Sequence, residues 1–474
     1  MHDASSPRTD GSYGRDSVAV IENGSAVFDA PRVQGAVPGP ASERALARQA
    51  ARESNARSYP RNLPIAIRRG VGSYVEDLDG NIFIDFLQSA GALALGHSHP
   101  EVVEAVQRQV PLLIAALDFP TEAKDEFTSV QLSLLPESMR ERTKIQFCGP
   151  TGANAVDAAL KLCKTATGRA DIVTFHGGFH GSSHSAMALT GLVSQKRPIA
   201  NTMAGVHFFP YPAGRHCALG GDPETTGERC LEYFERALRD PLGGVPLPAA
   251  VIFEVVQGEG GAVPAPTEFV QGIRRVTRDL GVPLIVDEVQ CGFGRTGTWW
   301  AFEQHGIEPD VIIASKAIGG IGLPSAIIMY DEALDVWAPG AHTGTFRGNQ
   351  LAFVAGSTAA GIIERDGILQ NVREQGAYFL AALQELARSH DLVYGAHGLG
   401  LMLGLELEAP AGGDVSKIAR GLQRAALDRG LIVELGGRDD AVVRMLPPLN
   451  VTRRTVDQAL EILSASISHV ASLA

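Results

Sequence analysis

Between residue 100 and about residue 330 the chain repeats one pattern: a short apolar, β-rich run, then a stretch with helical periodicity. The runs are KIQFC, DIVTF, AAVIFEVV, PLIVDEV and DVIIAS, and they are apolar on both faces. A strand with no polar face has to be covered on both sides, as in a parallel sheet lying between two layers of helices. The pattern therefore predicts an α/β fold. Beyond about residue 360 it changes to helices (GILQNVREQGAYFLAALQELARSH) with a few strands (GLMLGLELEA, GLIVELGG, AVVRMLP), which predicts a smaller α+β domain. We divide the chain into a tail (1–40), an N-terminal segment (41–100), a large domain (101–355) and a small domain (356–474). The tail is rich in Ser, Gly, Pro and Asp and is expected to be disordered. After it come an arginine-rich helical stretch, SERALARQAARESNAR, and a strand pair in GVGSYVEDLDGNIFIDF that turns at Asp79-Gly80.

Charge and cysteine content narrow the function classes. A net charge of -12 argues against a nucleic-acid or anionic-membrane partner. No apolar run approaches the roughly 20 residues that a membrane-spanning helix needs. MHDASSPRTDGSYGRD lacks the charged-then-apolar pattern of a signal peptide, so a cytoplasmic protein is expected. Five cysteines without a CxxC pair read as free thiols in a reducing compartment.

Open α/β sheets bind ligands at the carboxyl ends of their strands, and the chemistry-bearing residues cluster there. Lys316 follows IIAS and is followed by AIGG. Alone it reads first as a surface lysine with an apolar stem; only its surroundings bring in the other reading, a desolvated amine able to attack a carbonyl. Asp287 ends PLIVD, either as a loop carboxylate or as the partner of a pyridinium nitrogen. In FCGPTGANAVDAAL, Gly152 and Ala153 open a helix whose free amides suit a phosphate, although a plain tight turn has the same geometry. His176, His180 and His184 recur every four residues, which on a helix would suit zinc. Gly177, Gly178 and Gly181 favour a loop instead, one that presents Phe179 and His180 for stacking on an aromatic ligand. We expect no metal. GFGRTG (292–297) matches the dinucleotide fingerprint G-x-G-x-x-G. Its glycines begin several residues past the strand and run into TWWAFEQHG, so a dehydrogenase reading carries little weight.

Taken together, GHSHP, EVVQGEGG, DEVQCGFGRTG and SKAIGG, in that order, resemble the class III aminotransferases of pyridoxal-phosphate fold type I from about residue 45 to the C-terminus. The resemblance implies a mostly parallel seven-stranded sheet between helices. It also implies that the N- and C-terminal segments share the small domain, and that the enzyme is a homodimer with shared active sites. The cofactor implied is pyridoxal 5'-phosphate. Lys316 would bond to it covalently and Asp287 would face its ring nitrogen. Gly152 and Ala153 would hold its phosphate, and Phe179 and Val289 would flank the ring with His180 nearby. Gln290 would approach the ring hydroxyl, and Thr345 in HTGTFRGN would reach the phosphate held by the other subunit. Glu254, Glu259 and Arg444 fall on the substrate side, with Arg444 binding the α-carboxylate and Glu259 neutralising it when no carboxylate is present.

Within the class, RSYPRNLPIAI, CGPTGANAVDAALKLCKTATGR, GAHTGTFRGNQ and VVRMLPPL resemble the L-2,4-diaminobutyrate 4-aminotransferases. The reaction implied is L-2,4-diaminobutyrate plus 2-oxoglutarate giving L-aspartate 4-semialdehyde plus L-glutamate. Relatives acting on 4-aminobutyrate or ornithine commonly have an arginine where this chain has Ser182, which weakens those alternatives. A class III aminomutase or racemase is a third alternative. A non-catalytic module is disfavoured by the intact Lys316 and Asp287.

Overall fold

The computed structural model describes residue 28, residues 30–199 and residues 201–473. All five apolar runs become strands of one seven-stranded sheet. Its spatial order is Thr143–Phe147, Ala326–Asp331, Val311–Ser315, Leu284–Asp287, Ala250–Phe253, Ile172–Phe175, Val206–Phe209. The pairings are parallel from Val311–Ser315 outward to Val206–Phe209. Ala326–Asp331 runs antiparallel to both of its neighbours. The two strands outside the five runs have physical reasons to be less visible. Val206–Phe209 is an edge strand and only partly buried. Ala326–Asp331 follows the turn after Lys316 too closely to suggest a separate crossover.

The strands alternate side chains between two cores, as the pleat requires. Ile285 and Ile313 join one core with Ala155, Ala159 and Leu162 of the helix Gly152–Thr167. Leu284, Val286, Ile312 and Ala314 join the other with Phe234 and Phe269, from the helices Thr226–Arg239 and Thr267–Asp279. Both faces are therefore dry along the central strands, where charge can emerge only at the strand ends.

The N-terminal segment is woven into the C-terminal one. Strands Ile67–Val71, Tyr74–Asp77 and Ile82–Asp85 form a sheet whose fourth member, Leu431–Ile432, pairs parallel to Ile82–Asp85. A second sheet contains Val393–Leu399, Met402–Leu407, Val442–Met445 and Glu434–Gly436 in that order. The turn at Asp79-Gly80 falls where expected, and Asp79 does more there than turn the chain. Its carboxylate accepts hydrogen bonds from the amides of Ala41 (2.7 Å) and Ser42 (2.8 Å), anchoring the start of helix Pro40–Arg52.

The expectation of a disordered tail falls mostly on residues 1–27 and 29, which lie outside the described residues. For residues 30–40 it needs correcting. Arg32 bridges Ile82, and the Gln34 amide donates to Asn81 Oδ1 at 2.8 Å, so backbone pairing holds this part against the sheet despite its polar composition. Among the described residues, no helix is long and apolar enough to cross a membrane.

The helix Gln350–Arg365 runs unbroken across the boundary placed at 355/356, because its buried face is continuous through Ala352, Ala355, Ala359 and Ile363. It also presses on the turn that carries Lys316. A Cβ on Gly356 would lie 2.1 Å from the Ile318 carbonyl oxygen and 2.7 Å from the Phe127 ring. Gly356→Ala should therefore force that turn or the helix to shift, lowering the unfolding free energy by about 1–3 kcal/mol. Urea denaturation checks this, and an unchanged midpoint would mean the turn yields without cost.

Candidate active site

Lys316 begins where strand Val311–Ser315 stops. Its backbone is left-handed, with φ 50°, and it opens a short 3-10 turn, Lys316–Gly319. A lysine in that region is strained by roughly 1–3 kcal/mol and persists only when its surroundings hold it. Two contacts do so here: the Ser315 hydroxyl donates to the Ser325 carbonyl at 2.7 Å, and Gly356 packs from behind. Burial lowers the affinity of the Lys316 amine for its proton, and Glu259 opposes that shift only in part. A desolvated amine of this kind is a usable nucleophile and base.

Asp287 ends the neighbouring strand and pairs in register with Ile313, so it shares an edge with Lys316. It is 4% exposed. Its Oδ2 lies 2.8 Å from His180 Nδ1, and its Oδ1 accepts the Val289 amide at 3.1 Å. Burial pulls the His180 ring toward neutrality, but the hydrogen bond and charge of Asp287 outweigh it and raise its pKa above the ordinary value. Thr174 Oγ1 meets the other ring nitrogen at 3.3 Å. His180 therefore braces Asp287 from the side, a different task from the stacking expected of it. The 176–183 stretch is a loop, as its glycines require, and His184 starts the next helix. Among the described residues, no group of three or more His, Cys, Asp or Glu could hold a metal.

The helix Gly152–Thr167 starts across from these strand ends. Thr151 caps it by accepting the Asn154 amide, and Asn154 Oδ1 accepts the Gly149 amide at 2.7 Å, setting the turn. Gly152 and Ala153 lie in the first turn, whose amides have no intrahelical acceptor and point at whatever sits before the helix. Space at 152 is tight: a Cβ there would come 3.1 Å from Val289 Cγ1.

These pieces enclose a cavity of about 130 Å³. Lys316, Asp287, Val289 and Gln290 enter it from the strand ends, and Gly152 and Ala153 from the helix start. Phe179 and His180 come from the loop, and Glu254 and Glu259 from the segment after Ala250–Phe253. The donor set fits pyridoxal 5'-phosphate. A helix terminus suits its phosphate, a braced carboxylate suits its ring nitrogen, apolar Phe179 and Val289 suit its ring, and a desolvated amine suits its aldehyde. Thr345 is not in this cavity; it lies exposed on the loop before helix Gln350–Arg365. GFGRTG forms turns rather than a helix start, and its buried Arg295 donates to the carbonyl of Leu401 at 3.1 Å and to that of Pro447.

Arg444, 2% exposed in strand Val442–Met445, does not line this cavity but backs two residues that do, Glu259 and Gln290. Its Nη2 lies 2.7 Å from Glu259 Oε1 and 2.9 Å from Glu434 Oε2. Its Nη1 donates to Gln290 Oε1 at 3.4 Å. Glu259 is the expected partner, whereas Glu434 was missed. The signal for it lay in a hairpin: Glu434 pairs with Arg444 and Gly436 with Val442 across the polar turn GRDDA. Tyr59, which shares a second cavity with Lys316 and Glu434, was also missed, because only the tertiary fold brings the N-terminal segment there.

Residues 55–467 match the family described as aminotransferase class-III. The chain belongs to that family. A diaminobutyrate--2-oxoglutarate aminotransferase of Rhizobium meliloti is 48% identical to this aminotransferase over 90% of its chain and 92% of the relative. One from Haemophilus influenzae is 42% identical over 89% and 94%. Among solved structures, an omega-transaminase from Thermomicrobium roseum superposes with a TM-score of 0.81 at 25% identity, covering 90% of this chain and 98% of that one. The ornithine aminotransferase of Toxoplasma gondii gives 0.79 at 22% identity, covering 91% and 96%, and shares the fold. The fold is the α/β fold type I that the strand pattern and the motifs anticipated.

Glu254 supplies a pH test. It accepts the amides of Phe179 (2.8 Å) and Gly258 (3.0 Å), so it shapes the loop that presents Phe179. Burial pushes its carboxyl from 4.5 up to about 7, with His180 pulling it down and Asp287 pushing it up. A carboxyl raised in the folded state stabilises below its unfolded pKa and loses that stability as pH rises through the folded one. The wild type should therefore lose stability relative to Glu254→Gln between pH 4.5 and 7. Thermal melts of both proteins across this window check it, and a constant difference would contradict it.

Proposed function

We propose that this aminotransferase exchanges an amino group between L-2,4-diaminobutyrate and 2-oxoglutarate, forming L-aspartate 4-semialdehyde and L-glutamate, with pyridoxal 5'-phosphate as cofactor. The observation that carries the reading is the buried Arg444–Glu259 pair beside Lys316. Glutamate reacts at a carbon bearing a carboxylate, and diaminobutyrate reacts at a terminal carbon without one. One pocket can serve both only if its cation is available in one half-reaction and neutralised in the other. Arg444 is fixed in a strand, while Glu259 lies in a glycine-rich turn with about a quarter of its side chain (26%) exposed. Glu259 is therefore the part that moves. The names of the diaminobutyrate relatives support this choice of substrate.

When bound, pyridoxal 5'-phosphate supplies an electron sink for negative charge at the reacting carbon. Asp287, braced by His180, keeps a proton on the ring nitrogen facing it, and the amides of Gly152 and Ala153 hold the phosphate. Lys316 Nζ, desolvated and set at the strand end, would take the proton from the amine-bearing carbon of the substrate and deliver it on the far side of the transferred nitrogen. Arg444 orients the α-carboxylate through paired charge-assisted hydrogen bonds.

We further propose a homodimer in which Thr345 serves the partner's site. Segment 110–119 exposes Leu112 (76%) and Phe119 (67%), and the Thr345 loop exposes Phe346 (72%). The two segments are joined by backbone hydrogen bonds, Ala116 N to Gly348 O and Gln350 N to Ile114 O. Together they make an apolar face suited to a second copy.

The test is a single-turnover comparison of half-reactions on the purified dimer. Diaminobutyrate should consume 2-oxoglutarate one for one, and Arg444→Ala should slow the glutamate half by at least about a hundredfold, the loss of a buried bidentate contact, while slowing the diaminobutyrate half far less. Equal losses in both halves would contradict the switch, and turnover without 2-oxoglutarate would favour a mutase.

A further inference from the structure

Diaminobutyrate reacting at C4 differs from 4-aminobutyrate by one group, an ammonium on the carbon two bonds from the reacting one. Glutamate has only a methylene at the corresponding place. An enzyme that takes diaminobutyrate and glutamate in preference to 4-aminobutyrate therefore needs an anion near that carbon, one that glutamate does not have to satisfy.

Past Lys316 and Glu259 the reaction cavity continues into a space of about 430 Å³ that includes Tyr59, Asn62, Ser182 and Glu434. Among the described residues lining it, Lys316 is the only cation, while Glu259, Glu434 and Asp440 are acids. Glu434 is held on strand Glu434–Gly436, opposite Arg444 in the ladder, with 14% of its side chain exposed. Arg444 thus faces two carboxylates, and Glu259 already takes its Nη2 at 2.7 Å. Glu434 Oε2 approaches the same nitrogen at 2.9 Å, yet among the described residues it accepts no well-directed hydrogen bond. One guanidinium balances one carboxylate. The second shares that guanidinium and takes a hydrogen bond from Tyr59, yet burial still raises its carboxyl above the ordinary value, so a further cation beside it would be favourable.

We propose that Glu434 receives the α-ammonium of diaminobutyrate and thereby sets the preference for diaminobutyrate over 4-aminobutyrate. This rests on the reaction proposed above. With diaminobutyrate bound, Glu259 neutralises Arg444 and Glu434 pairs with the substrate ammonium. With glutamate bound, the substrate carboxylate takes Arg444, Glu259 swings toward the opening, and Glu434 stays beside the arginine.

The test compares kcat/KM of the holoenzyme and of Glu434→Gln for diaminobutyrate, for 4-aminobutyrate, which lacks the ammonium, and for 1,3-diaminopropane, which keeps it and lacks the carboxylate. The wild type should prefer diaminobutyrate to 4-aminobutyrate by at least about tenfold, the scale of one charge-assisted hydrogen bond. In Glu434→Gln, kcat/KM should fall about tenfold or more, mainly through KM, for both diamines. It should hold within about threefold for 4-aminobutyrate and for the glutamate half-reaction. A uniform loss across all four would show that Glu434 only holds Arg444, overturning the proposal while the reaction stands. A wild type indifferent between diaminobutyrate and 4-aminobutyrate overturns it without any variant. A wild type that ignores diaminobutyrate overturns both the proposal and the reaction.

Discussion

The hydrogen bond between Asp287 and His180 is the interaction on which the site depends. The central strands are dry on both faces, so an acid at the end of one gains little from water and needs a partner inside the protein. His180 supplies one at 2.8 Å, from a loop shaped by glycines and by the Glu254 carboxylate. With Asp287 fixed, the neighbouring strand sets Lys316 beside it, and the left-handed turn points that lysine into the cavity instead of on toward the next helix. The sheet provides position and the loop provides charge balance.

The opposite wall follows a different principle. Arg444 is buried among carboxylates that outnumber it, one on a glycine-rich turn and one on a strand. A matched pair would be a structural feature with nothing left for a ligand. The mismatch leaves a surplus of negative charge beside the reacting amine, which suits a substrate carrying two ammonium groups. The same arginine suits a dicarboxylate once Glu259 moves away. In the reaction proposed above, one guanidinium and the acids around it serve both substrates.

Much of this was legible in the chain. The five apolar runs identified the sheet because strands buried on both faces leave an unmistakable composition, and the residues closing them, Asp287 and Lys316, fall where the topology places ligands. The helix start at Gly152 was readable from its turn chemistry. The less visible features depended on long-range geometry. Glu434 looks like any strand residue until the hairpin register sets it opposite Arg444. Tyr59 reaches the cavity only because the N-terminal sheet takes Leu431–Ile432 as a member. His180 was placed in the site, but its task was set by Asp287, 107 positions away. Residues 30–40 look like a tail by composition and are held by backbone pairing, which composition does not report.

The central claim is that the amine at the end of Val311–Ser315 is the one that bonds to the cofactor. Borohydride reduction of the cofactor-loaded protein, followed by peptide mapping by mass spectrometry, tests it directly. The account predicts a single stable adduct on the peptide containing Lys316, with none in Lys316→Ala. An adduct on another lysine, or an undiminished adduct in that variant, would contradict it.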